Sequence, residues 1–196
     1  MMAIESNKES KINNDFTTYM SLLPESEKLK NVFDLNQLMN APGAANAESG
    51  VAQRGGLISH MLLVERLAQR TAKNISATFN IDTMSLRKVC LLQSISKAVQ
   101  FTENTDPWQL KRGYSYRYAD NKDVCLSTGE YSIYLAVKAG FQFSMEEFEA
   151  MRIIDKSGDE FFKQKPYINI LSLLVYQAND MAYALEREWA KKQIEL

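Results

Sequence analysis

Gly55-Gly56-Leu57-Ile58-Ser59-His60-Met61-Leu62-Leu63-Val64 is where the chain declares its organisation. Two glycines open the run, and they let backbone approach backbone closely at the start of a helix. An apolar repeat follows at spacings of three and four, through Leu57, Met61, Val64 and Ala68, which predicts an amphipathic helix from Gly56 to about Lys73. The run also holds His60, the single histidine of the protein. One imidazole on a mostly apolar face has two readings: a satisfied core histidine, or the surviving member of a metal cluster. A lone ligand is not a site, so the flanking sequence has to decide between them.

The totals narrow the field. A chain of 196 residues, 45% hydrophobic and 24% charged, can bury a core of ordinary size. The formal net charge of −1 offers no bulk attraction for phosphate backbones, which leaves nucleic-acid binding without support from net charge. Cys90 and Cys125 form no CxxC and read as two reduced, buried thiols. The N-terminus is polar, and no apolar run reaches the roughly 18 residues of a membrane span. The expected location is cytoplasmic.

Residues 1–23 read as a flexible leader rich in Glu, Ser, Lys and Asn, with Phe16 to Leu23 docking on the body. Residues 24–196 read as one helical domain. A helix is predicted from the acidic turn after Pro24 to about Met39, and small residues from Ala41 to Gly50 form a loop. Thr83 to about Phe101 reads as a third helix. Tyr114-Ser115-Tyr116-Arg117-Tyr118 alternates with period two, and Asp120-Asn121 is turn-like, which predicts a small tyrosine-rich hairpin or flap. Lys111, Arg112 and Arg117 beside its tyrosines suit a single-stranded nucleic-acid platform, although a flap over the helical body is the plainer reading.

Ser127 or Thr128 caps a fourth helix that Gly140 ends. Ser144 with Glu147 forms a capping box for a fifth, to about Asp155. Asp155, Asp159 and Glu160 read as a solvated acidic loop. A last helix, about Tyr167 to Lys192, carries a core stripe of Leu171, Leu174, Val175, Ala178, Met181, Ala182 and Leu185, with Asp180 among these residues and a solvated tail from Glu186.

In this order, the pieces resemble the HD-domain metal-dependent phosphohydrolases, closest to their phage and bacterial members. Gly55 to His60 is similar to the family's Gly-Gly-Leu-x-x-His helix start. Leu91 to Lys97 stands where the family has Leu-Leu-His-Asp-Ile-Gly-Lys. Trp108 to Tyr118, Gly129 to Leu135, Glu146 to Arg152 and Asn179 to Ala182 resemble four further family segments. The resemblance covers most of Gly55 to Glu188 and implies an all-α, HD-domain-like helical bundle.

The same resemblance implies a divalent metal that acidifies an attacking water. His60 would match the first metal ligand and Asp180 the last. The His-Asp pair falls on Gln93 and Ser94, a further histidine position falls on Thr128, and no second histidine exists. A neutral amide and a hydroxyl are poor ligands and bring no negative charge. The resemblance therefore implies a catalytically degenerate member, a pseudoenzyme with no catalytic residue. It acts by binding a nucleotide-type ligand or a protein partner.

No cofactor is expected, beyond a weakly held divalent metal at the His60 and Asp180 remnant. A ligand in the old cavity would meet His60, Gln93, Ser94, Thr128 and Asp180, with Lys97, Arg112 and Arg117 toward its phosphates. The alternatives are a residual metal-dependent nucleotide phosphohydrolase and a single-strand binder using Tyr114 to Tyr118. A serine nucleophile at Ser94 has no nucleophile elbow to support it.

Overall fold

The computed structural model describes residues 2–119, 126–154 and 169–194. The Asp120-Asn121 turn, Cys125, the acidic loop at Asp155 to Glu160 and the expected start of the last helix at Tyr167 lie outside the described residues. Within them the protein is all-α: nine α-helices, two short 3₁₀ segments (Ser26–Asn31 and Ala47–Ser49) and one two-stranded sheet.

Helix α3 (Gly56–Ile75) is the centre, packed against α9 (Ile170–Ile194) and α4 (Thr83–Leu92). Its inward residues Leu57, Met61, Val64, Ala68 and Ala72 are buried at the expected helical spacing. The glycine pair allows the close approach its sequence implies. A Cβ on Gly56 would lie 2.1 Å from the Val51 carbonyl oxygen, so no larger residue fits where the loop crosses the helix start. Helices α7 (Thr128–Ala139) and α8 (Met145–Arg152) complete the bundle, and both begin with a capping box, Ser127 with Glu130 and Ser144 with Glu147. Gly140, at φ 109°, ends α7 and donates its N–H to the Ala136 and Val137 carbonyls.

Three expectations need correction. The leader is a helix, α1 (Met2–Leu22). Tyr19 and Leu23 are buried, Phe16 and Met20 pack against the core, and the Tyr19 hydroxyl donates to the Leu91 carbonyl at 3.0 Å. That anchor supplies the costly nucleus, and the polar turns before it need only propagate.

The single helix expected after Pro24 is a 3₁₀ segment followed by α2 (Leu35–Asn40), restarted by Asp34, whose side chain accepts from the Asn36 N–H.

The third helix stops at Leu92. Residues 92–99 wind more tightly by i→i+3 bonds before α5 (Lys97–Gln100), because the Ser96 N–H is given to Ser132 Oγ on α7, at 3.1 Å.

The expected small tyrosine-rich hairpin is present, with its first strand ahead of the tyrosine run. Strand β2 (Tyr116–Tyr118) pairs antiparallel with β1 (Phe101–Glu103), Phe101 opposite Tyr118, and α6 (Pro107–Lys111) fills the connection. Among the described residues no helix is long and apolar enough to cross a membrane.

Candidate functional site

Helix α3 buries His60 completely, and α9 supplies its partners. Nδ1 lies 2.8 Å from Glu186 Oε2, Nε2 lies 3.1 Å from Asn179 Oδ1, and the Tyr183 ring stands 4.3 Å from the imidazole. Asn179, Tyr183 and Glu186 recur at i, i+4 and i+7, so one face of α9 presents all three. With Glu186 as a carboxylate, Nδ1 carries the proton and donates. Two assignments then satisfy Nε2: an imidazolium donating to Asn179 Oδ1, or a neutral ring accepting from a turned Asn179 amide.

The network continues beyond the histidine. The Tyr183 hydroxyl accepts from Lys97 Nζ at 2.7 Å, and Lys97, itself buried, also donates to the Gly43 carbonyl at 2.9 Å. A chain of polar groups therefore runs Glu186–His60–Tyr183–Lys97–Gly43. It ties α9 to α3, to α5 and to the loop before α3.

Asp180 does not take part. It lies about 140° around α9 from the inward Val175, is exposed, and hydrogen-bonds Tyr176, while partial burial raises its carboxyl pKa. The inward face runs through Val175, Ala178, Asn179, Ala182 and Glu186, so Met181 and Leu185 of the expected core stripe are exposed and Glu186 of the expected solvated tail is buried. The periodicity that would have placed Asn179 and Glu186 inward was present. A wheel centred on Val175 and Ala182 points there, and one weighted toward Met181 and Leu185 does not.

The other expected site residues lie at or next to α4, α6, α7 and β2. Gln93 and Ser94 are buried at the end of α4, and both amide atoms of Gln93 lack a hydrogen-bond partner. The Thr128 carbonyl accepts from Ser96 Oγ at 2.9 Å. Arg112 stacks over the exposed Trp108 ring at 4.5 Å, and Arg117 lies on β2 opposite Thr102. The structure brings His60 and Lys97 together through Tyr183. Asp180 is exposed and points away from them.

A divalent metal does not fit this donor set. Both nitrogens of His60 are engaged by Glu186 and Asn179, Asp180 faces away, and Gln93 and Ser94 carry no charge. Among the described residues no group of three His, Cys, Asp or Glu side chains could hold a metal.

A feature open to a ligand lies elsewhere. A cavity of about 620 Å³ lies between α1, the loop before α3, α3 and the end of α9, and none of the expected site residues lines it. Glu186 reaches both this cavity and the His60 cluster. No family model, no curated protein and no solved structure matches this chain.

Proposed function

We propose that the chain acts by binding, without turnover. It is a catalytically silent protein on an HD-like helical scaffold that holds a nucleotide-type ligand or a protein partner. One observation carries the reading. The histidine in the position of a first metal ligand is fully buried, with both ring nitrogens engaged by Glu186 and Asn179. A ligand position closed in this way is a lock between α3 and α9. It holds the fold and leaves no place for an activated water.

The test is elemental analysis of protein purified with manganese and desalted, together with nucleotide hydrolysis assays. Below about a tenth of an ion per chain, with no turnover, is the expected result for so few ligands. Close to one ion per chain, with turnover abolished by EDTA, overturns the reading in favour of a residual phosphohydrolase.

A second reading draws on the sheet. Trp108, Tyr114 and Tyr118 are exposed beside Arg112 and Lys111, an arrangement suited to stacking single-stranded bases. Part of it is already engaged, with Tyr118 tilted on Phe101 at 4.9 Å and Arg112 on Trp108. Binding to single strands that weakens steeply with salt supports this reading, and affinity that stays flat with salt removes it.

A further inference from the structure

We infer that the cavity walled by α1, α3 and α9 is a binding site for a nucleoside mono- or diphosphate, with Trp189 against the base and Lys11 and Arg66 on the phosphate. The inference rests on the binding reading above and gives it a place and a ligand class.

Three helices each turn a face to this cavity. Lys11 and Asp15 are four apart on α1. Ser59, Leu62 and Arg66 follow i, i+3 and i+7 on α3. Glu186 and Trp189 are three apart on α9. The fourth wall is pinned. Gly50 stands so close to α9 that a Cβ there would lie 2.3 Å from the Glu186 carbonyl oxygen. At about 620 Å³ the volume falls within the roughly 300–1,000 Å³ of small-molecule sites.

The charges point to an anion. Two arginines nearby are paired, Arg54 with Glu9 and Arg87 with Glu65, whereas Lys8 and Arg70, a turn from Lys11 and Arg66, are not paired among the described residues. Lys11 and Arg66 have no salt bridge or hydrogen bond among the described residues. The Glu186 carboxylate is committed to His60, which leaves Asp15 as the one uncommitted carboxylate of the lining. Two unpaired cations facing one concavity favour a ligand that brings negative charge, and an arginine with a lysine suits phosphate oxygens.

Phosphate alone would leave most of the volume unused. The half-exposed Trp189 indole offers a flat apolar face, with Leu62 and Leu63 beside it, and Asp15 and Ser59 offer an acceptor and a hydroxyl for sugar hydroxyls. The start of α3 is not the anion site, because the N–H groups of Gly56, Leu57 and Ser59 already bond the carbonyls of Gln53, Ala41 and Gly55.

The chain has two tryptophans, so Trp108→Phe in the full chain makes Trp189 the only indole reporter. This protein is titrated with the mono- and diphosphates of adenosine, guanosine, cytidine and uridine, with the parent nucleosides, and with inorganic phosphate. Saturable quenching by at least one nucleotide is expected. The matching nucleoside and inorganic phosphate should each bind about tenfold or more weakly.

Adding Lys11→Gln and Arg66→Gln, both at exposed positions, should weaken the nucleotide about tenfold or more through lost charge-assisted hydrogen bonds, with unchanged far-UV circular dichroism. Nucleotide binding that the double change leaves intact overturns this site but spares the binding reading. No saturable signal with any nucleotide up to about 1 mM, an interaction worth only some 4 kcal/mol, overturns both the site and the nucleotide arm of that reading. Inorganic phosphate binding as tightly as the nucleotide overturns the assigned ligand class.

Discussion

Replacing His60 by phenylalanine should cost far more than its lost hydrogen bonds, and replacing its partner as well should recover part of that cost. His60→Phe keeps a ring of similar shape in a fully buried position and removes both ring nitrogens. The Glu186 carboxylate, which is 6% exposed, is then left without its donor. Stranding one member of a buried pair costs about 3–5 kcal/mol. Glu186→Leu leaves one buried N–H without an acceptor, about 1–3 kcal/mol. In the double variant neither group remains to be stranded, and the residual cost is the orphaned Asn179 amide, again about 1–3 kcal/mol.

The two effects should therefore fall short of additive by about 4 kcal/mol, at or above the upper end of the range for residues in direct contact. At this chain length each kcal/mol moves Tm by roughly 2–4 °C, so His60→Phe should lower it by about 10 °C. Urea unfolding followed by circular dichroism gives all three free energies. Strict additivity, or a Glu186→Leu cost below about 0.5 kcal/mol, would refute the idea that the pair is a buried lock.

Gln93→Met should raise stability by about 1–3 kcal/mol, because it removes two buried amide atoms that have no partner and keeps the volume, and an unchanged urea midpoint would contradict this. Gly56→Ala should destabilise by about 3 kcal/mol or more, since the new methyl meets the Val51 backbone, and the same unfolding curves test it. In a Cys125→Ser background the native protein should resist Ellman's reagent, because burial raises the Cys90 thiol pKa well above its ordinary value, and labelling should appear only on unfolding. Asp82 caps α4 by accepting from Met84 and Ser85, which lowers its folded pKa, so its contribution is complete above the unfolded carboxylate value and fades as pH falls through the folded one. Asp82→Ala should cost about 1 kcal/mol at neutral pH, and urea curves in a descending pH series should show that deficit shrinking.

How far the fold could be read depended on how local its signals were. The starts of α3, α7 and α8 were legible because a glycine pair and two capping boxes act within a few residues. The break after Leu92 was not, because its cause is Ser132 on another helix. Strand β1 left no signal of its own, since its partner lies about 13 to 17 residues on, Tyr116 opposite Glu103 and Tyr118 opposite Phe101.

His60 stood out as the residue to explain, but its partners did not. Asn179 and Glu186 are polar residues on a face that apolar counting passes over, and Asp180 drew attention through the family resemblance. The cavity was hidden for a related reason. Lys11 and Asp15 sit in a polar segment that composition assigns to a leader, and only the Tyr19 anchor downstream turns it into a wall.

That wall is the least secured part of the cavity. Beyond Ile12, the side chains of residues 6–11 are exposed, and the salt bridge from Glu9 to Arg54 is at the surface, where such pairs contribute little. The first turns of α1 should therefore open at low cost while the Tyr19 end stays shut, a gradient that amide hydrogen exchange resolves residue by residue. Anything seated against Lys11 and Asp15 draws its affinity partly from holding those turns closed. Occupancy and N-terminal order are then one equilibrium, and protection of residues 6–15 from exchange or proteolysis becomes a gauge of occupancy that works for a ligand of any identity.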